Sequence, residues 1–226
     1  MKRQRTLWLV LSLSLASGLT SACAHERGTG QRKRATTIAH QQKPLPVLNI
    51  SFMLRGYFFA FAKTSVGIGG YGRSNNYPVP IRHRPRTPGV YLAVDTKTDK
   101  RFFLKFQAIR VTLGNSTDRM VYFRAQDSRL SIVQEALGRD GRWRPIEYLP
   151  HSFCGNSYHR LGLPAGYQWT FVAPRYHGSF RTKLRIRLIK PSGDIVSDAF
   201  WGSINPAQFS VKRPYHPRNV MDPYTN

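Results

Sequence analysis

The fold is decided by residues 182–189, whose sequence is TKLRIRLI. Apolar residues occupy every second position from Leu184 onward, and basic residues fill the positions between them. Successive side chains of a β-strand point to opposite faces of the sheet, so this period of two predicts a strand with one buried face and one basic face. Together with the preceding arginine, the basic positions define a candidate anion-binding face of Arg181, Lys183, Arg185 and Arg187.

Similar short runs of apolar residues, separated by turn residues, extend on both sides of this strand. Turn signals lie at 114–118, 138–141, 164–166 and 192–194. Strand candidates lie at 90–94, 101–113, 120–124, 143–146, 167–173 and 195–201. Residues 130–137 fit either a strand or one helical turn, and 150–164 is predicted to be irregular. Seven or eight short strands at near-regular spacing are typical of an antiparallel sandwich, so the domain is predicted to be mainly β.

Residues 102–201 resemble the immunoglobulin-like domains of bacterial secreted and surface proteins. The resemblance rests on a long strand ending VTLGNST, on the turn PAG before QWTFV, and on the closing hairpin TKLRIRLIKPSGDIVSDAF. It implies an immunoglobulin-like sandwich that serves binding, spacing or assembly rather than catalysis.

Residues 1–22 are typical of a signal peptide for export. Lys2, Arg3 and Arg5 give a positive start, the apolar run LWLVLSLSL follows at 7–15, and small residues come next. This apolar run is too short for a stable membrane anchor, so a cleaved signal is expected.

Cys23 determines how the exported chain begins. LTSAC, which ends at Cys23, resembles the lipobox of bacterial lipoprotein precursors, and the resemblance implies lipidation of this cysteine. Acyl chains on Cys23 would hold the protein on a membrane, with the polar and basic residues 23–46 as a flexible tether. The alternative is ordinary cleavage at the Ala22-Cys23-Ala24 site, which would give a periplasmic or secreted protein.

The remaining segment boundaries follow from composition. Residues 47–88 join the apolar stretch VLNISFMLRGYFFAFA to a loop rich in Gly, Pro and Arg. The immunoglobulin-like sandwich is predicted over 89–210, and 211–226 is predicted to be an extended C-terminal tail.

The chain is strongly basic, with 35 Lys and Arg against 11 Asp and Glu and a formal net charge of +24. The bases are spread along every segment rather than gathered in one tail. Such a surface attracts anionic polymers in a salt-dependent way. Since an exported protein rarely meets nucleic acid, we expect anionic polymers of the cell envelope, or another envelope protein, as partners.

The densest group of reactive side chains lies at 151–159, HSFCGNSYH. His151, Cys154 and His159 are spaced H-x2-C-x4-H on a predicted loop and are a candidate zinc or copper site. Cys154 beside a histidine is also a candidate nucleophile. A packed loop without chemistry is the third interpretation, and a Cys23–Cys154 disulfide is open if Cys23 is not lipidated.

Signals for other kinds of chemistry are weak. The acids are scattered without a spacing that pairs two carboxyl groups, and the glycine-rich GIGGYG at 67–72 lacks the strand–helix context of a phosphate site. Trp143, Trp169 and Trp201 can stack on sugars, although core packing is the commoner role of tryptophan. No catalytic residue, resident metal or cofactor is therefore predicted.

The sequence thus predicts an exported, lipid-anchored protein of the cell envelope whose β-sandwich is a non-catalytic binding or structural module. Two alternatives stay open. One is a periplasmic metal-binding or thiol enzyme centred on Cys154, and the other is a module that resembles protease inhibitors and presents the loop 150–159.

Overall fold

The computed structural model describes residues 44–67, 74–83, 85, 87–149, 152 and 154–210. The predicted signal peptide, Cys23, most of the tether, His151 and the C-terminal tail lie outside these residues. Among the residues described, no helix has both the length and the apolar character that a membrane span requires.

The described chain is mainly β, as the sequence predicts. Its sixteen strands within those residues are β1 (Leu54–Arg55), β2 (Ser65–Val66), β3 (Val79–Pro80), β4 (Val90–Asp95), β5 (Arg101–Phe102), β6 (Phe106–Asn115), β7 (Val121–Gln126), β8 (Arg129–Leu130), β9 (Ile132–Leu137), β10 (Trp143–Pro145), β11 (Glu147–Tyr148), β12 (Tyr158–Leu163), β13 (Tyr167–Pro174), β14 (Phe180–Leu188), β15 (Ile195–Val196) and β16 (Phe200–Ile204). Two 3-10 helices, Gly155–Ser157 and Pro206–Phe209, interrupt them.

The strands form three antiparallel sheets and one short parallel pair. Sheet A has the order β3-β13-β6-β4, with β5 folded back on β6. Sheet B has the order β2-β12-β7-β8, and sheet C has the order β10-β9-β14-β15, with β16 also paired to β14. The parallel pair joins β1 to β11.

Strand β14 confirms the alternation read from TKLRIRLI. Its buried positions are Thr182, Leu184, Ile186 and Leu188, and the basic positions between them are exposed or half-buried. The strand pairs with β9 and, at its two ends, with β16 and β15. Because successive side chains of a strand point to opposite faces, the buried positions lie on the core face and the basic side chains lie on the outer face.

The larger hydrophobic cluster takes side chains from all three sheets. Val111 and Trp169 come from sheet A, Phe123 and Leu161 from sheet B, and Ile186 from sheet C. Burial of this kind contributes roughly 1.5–3 kcal/mol per large apolar side chain. The three sheets are therefore held as one folded unit by a shared core.

Residues 47–62 belong to this unit, although the sequence places them ahead of the sandwich. Phe58, Ala60 and Ala62 are buried in the larger cluster, while Leu48 and Leu54 are buried in a second one. The apolar stretch is thus a source of core side chains.

The expected single strand over 101–113 is wrong, because the chain turns back within it. Phe103 and Leu104 have φ of 47° and 58°, in the left-handed region, and Phe102 then pairs with Phe106. The turn buries Phe102 and leaves Leu104 86% exposed.

Two other local expectations are settled by pairing. Residues 158–163, expected to be irregular, form β12, because six residues there pair in register with β7. Residues 132–137, left open between strand and helical turn, form β9 between β10 and β14.

Candidate anion-binding surface

The outer face of sheet C is built by the basic positions of β14 and their cross-strand neighbours. Lys183 lies opposite Trp201 of β16, and Arg185 lies opposite Glu135 of β9. Side chains that face each other across an antiparallel pair interact directly. The register therefore decides which bases meet an acid and which meet an aromatic ring.

Arg185 and Arg187 share one buried carboxylate. The side chain of Glu135 is 0% exposed, and its oxygens accept hydrogen bonds from Arg185 Nε at 2.7 Å and from Arg187 Nη1 at 2.8 Å. Arg187 also pairs with Asp194, and Asp194 and Glu135 together hold the pKa of the Arg187 guanidinium above its usual range. These two arginines stabilise the sheet, because without them Glu135 would be a buried carboxylate with no partner, which is strongly destabilising.

Arg181 and Lys183 have no such partner. No ion pair of the described residues involves either side chain, and both are exposed. Their charges lie 5.5 Å and 5.9 Å from the ring centre of Trp201, which is itself 61% exposed. Of the four predicted residues, Arg185 and Arg187 therefore stabilise the sheet, whereas Arg181 and Lys183 are available to bind a ligand. We call Arg181, Lys183 and Trp201 the tryptophan patch.

Aromatic rings carry cations elsewhere in the described chain as well. Nine cations lie within 6 Å of a ring centre there. Arg185 over Trp143, at 4.3 Å, is the shortest. Because acids are few, ring faces take the place of carboxylates as neighbours of the positive charge.

The three tryptophans in the described residues have different surroundings. Trp169 is fully buried, and its indole N–H donates to the carbonyl of Phe61 at 2.9 Å. Trp143 is half-buried beneath Arg185, and Trp201 is exposed. Trp169 is therefore a core anchor, and Trp201 is the one with ring surface available for stacking.

The cluster predicted from His151, Cys154 and His159 is only partly visible, because His151 lies outside the described residues. Cys154 is an exposed free thiol, while the ring of His159 is buried on β12, 3.3 Å from the carbonyl of Ser157. In the described parts of the chain, no three His, Cys, Asp or Glu side chains lie close enough to hold a metal ion.

Sequence reasoning missed a buried acid, Glu147, which it had grouped with the scattered carboxyls. Glu147 is 1% exposed, next to Ile146, and lies opposite Leu54 in the parallel pair. The apolar neighbours in PIEYL are the only sequence signal of this burial, since its partners are distant along the chain.

Four donors surround the Glu147 carboxyl group. Its Oε1 accepts from the hydroxyls of Tyr57 and Tyr176 at 2.8 and 2.6 Å and from Gln134 Nε2 at 3.1 Å. Its Oε2 accepts from the backbone N–H of Gln134 at 2.9 Å. The group joins segment 54–57, β9 and the end of β13, so it ties together parts that are far apart in sequence.

Burial dominates the ionisation of this group. It raises the pKa of Glu147 from 4.5 to about 7, and the hydrogen bonds from Tyr176, Gln134 and Tyr57 offset only part of that effect. Near neutral pH the carboxyl group is thus divided between its charged and uncharged forms.

A cavity of about 540 Å³ is lined by residues of sheets B and C and of the segments beside them. Arg124 and Tyr158 line it from sheet B, Arg187 lines it from sheet C, and Lys190 follows the end of β14. Glu147 lies at its wall. The volume falls within the range typical of small-molecule sites.

Comparison of the chain with family models, with curated proteins and with solved structures finds no match.

Replacing Glu147 by glutamine should flatten the pH dependence of stability. The raised pKa means that the folded state holds a proton which the unfolded state has already released, so this stabilisation is present below about pH 4.5 and is lost as the pH rises through about 7. We expect the free energy of unfolding in urea to fall more steeply between pH 5 and pH 8 in the wild type than in Glu147→Gln. Equal slopes in the two proteins would contradict the burial argument.

Proposed function

We propose that this chain is an exported, lipid-anchored protein of the cell envelope, and that its β-domain is an immunoglobulin-like, non-catalytic module that binds anionic envelope polymers. The observation that carries the proposal is the tryptophan patch. It combines two cations that lack an acidic partner in the described residues with a ring that is 61% exposed.

The chemistry of the tryptophan patch fits a polymer that carries oxyanions. Arg181 offers a planar fork of N–H donors that matches phosphate or carboxylate, and Lys183 offers a point charge. The exposed indole of Trp201 adds a flat apolar surface on which a sugar ring can stack. A patch of this kind on the outer face of a rigid sheet binds its ligand without rearranging the core.

Export and anchoring are supported by the sequence at the start of the chain. A positive start, a short apolar run and LTSAC precede the polar residues 24–43. A lipid on Cys23 would place the basic domain beside the anionic surface of the envelope, where its charge has the most effect. The immunoglobulin-like arrangement is supported by the eight strands of five residues or more and by the core they share.

Cys23→Ala should abolish lipid labelling. Cells that express the wild type and are fed a palmitate analogue should show a labelled band of the protein, because an acylated Cys23 incorporates the label. The variant has no thiol at that position, so its band should be unlabelled, and the protein should appear in the soluble fraction. Equal labelling of both proteins would contradict the anchor.

Replacing the two free cations should weaken polymer binding more than an equal loss of charge elsewhere. We expect R181Q/K183Q to lose affinity for polyphosphate and polygalacturonate, and to reduce the slope of log K against log salt by about two. The matched control is K97Q/K100Q, which removes two exposed charges from the loop after β4. Arg185 and Arg187 are left in place because Glu135 requires them.

The measurement is equilibrium binding at several salt concentrations. Loss of affinity confined to R181Q/K183Q supports the tryptophan patch as the binding surface. Equal losses in both double variants would show that only the total charge matters, which contradicts the proposal.

A further inference from the structure

We propose that the cavity between sheets B and C is a second binding site, which takes a small organic anion with an oxyanion head and a short apolar body. The site is separate from the tryptophan patch and does not depend on it. Three features of the cavity favour such a ligand: two cations without an ion pair, apolar side chains in its wall, and acids that already have partners of their own.

Two cations of the cavity have no carboxylate partner. No ion pair formed within the described parts of the chain includes Arg124 or Lys190. The guanidinium of Arg124 lies over the ring of Tyr158 at 4.6 Å, and both side chains line the cavity. This contact favours a guanidinium position beside the cavity, so less conformational freedom is lost when an oxyanion binds there.

Arg124 also faces a like charge across its strand pair. It lies directly opposite Arg160 in the pairing of β7 with β12, and both side chains are exposed. Like charges in this arrangement are destabilising. A bound oxyanion beside Arg124 would offset that repulsion, which gives the anionic ligand an advantage that a neutral one lacks.

The acids near the cavity do not cancel this positive charge. Asp194 forms its ion pair with Arg187 and only a weaker, longer-range attraction with Lys190, and Glu135 is shared between Arg185 and Arg187. The carboxyl of Glu147 at the cavity wall is enclosed by four hydrogen-bond donors. The remaining charges of Arg124 and Lys190 therefore set the sign of the ligand.

The rest of the wall is largely apolar. Ala125, Val133, Leu149, Ile189 and Pro191 line the same cavity. Inorganic phosphate would contact the cations and leave this surface uncovered, whereas an organic anion would cover it and gain from its burial. The cationic and apolar side chains that line the cavity together favour an amphipathic anion as the ligand class.

The test compares ligands that share an eight-carbon chain. Octyl phosphate and octanoate, each below the concentration at which it forms micelles, are titrated calorimetrically into the full chain, with octanol and inorganic phosphate as controls. We expect one equivalent of at least one octyl anion to bind, and octanol and inorganic phosphate to bind at least about tenfold more weakly. Tighter binding of octyl phosphate would indicate a natural ligand with a phosphate head, and tighter binding of octanoate one with a carboxylate head.

Three variants locate the binding and separate it from polymer binding. R124Q/K190Q should weaken binding of the octyl anion by about tenfold or more, because it removes both unpaired cations. R181Q/K183Q and K97Q/K100Q should bind it as the wild type does. Far-ultraviolet circular dichroism confirms that each variant is folded before titration.

Several results would overturn the proposal. They are the absence of binding by either octyl anion, octanol or inorganic phosphate binding as tightly as the octyl anions, and unchanged binding in R124Q/K190Q. Loss of binding in R181Q/K183Q alone would place the anion on the tryptophan patch instead. Polymer binding is measured separately with polyphosphate and polygalacturonate, so failure of the cavity proposal and failure of the proposed function are distinguishable.

Discussion

Each charged group on a folded domain needs water, an opposite charge or an electron-rich surface beside it, and this chain has 11 acids for 35 bases. One of these acids lies buried between basic side chains of a central strand. Glu135 is buried in sheet C and pairs with both Arg185 and Arg187 of β14, so it reduces the repulsion between these two neighbouring arginines of the central strand. Elsewhere in the described residues, Arg110 pairs with Asp95 and Arg144 with Asp140, and nine cations lie over aromatic rings.

This distribution links the fold to the proposed function. A cation that already forms an ion pair contributes little binding energy to an anionic ligand. A cation that lies over a ring is not neutralised by a carboxylate, so its charge still attracts such a ligand. Arg181 and Lys183 beside Trp201, and Arg124 beside Tyr158, belong to the second kind. Because acids are few, cations without an ion pair remain on the outer faces of two sheets, and these cations form the proposed binding surfaces.

Much of the β-structure could be predicted from sequence, because the signals are local. The alternation in TKLRIRLI predicts β14, and Gly138–Gly141 form the predicted turn between β9 and β10, with Gly141 at a φ of 75°. The turn at Phe103 and Leu104 could not be predicted, since neither residue is a usual turn former. Only tertiary packing of Phe102 explains it.

The sequence likewise could not predict which residues of the basic face form ion pairs. Arg181, Lys183, Arg185 and Arg187 look equivalent along the chain, and only the register with β9 and β16 separates those that meet Glu135 from those that meet Trp201. Glu147 was missed for the same reason, because Tyr57 and Tyr176 reach it from 90 and 29 residues away. Long-range pairing, rather than local pattern, builds both sites.

The dependence of stability on salt tests this account most directly. If excess positive charge dominates, raising sodium chloride from about 10 mM to about 150 mM shortens the screening length from roughly 30 Å to 8 Å and relieves the repulsion between cations. We expect the free energy of unfolding of the full chain to rise over that range. A fall would mean that ion pairs outweigh repulsion, and it would contradict the view that rings, rather than acids, hold the surplus cations.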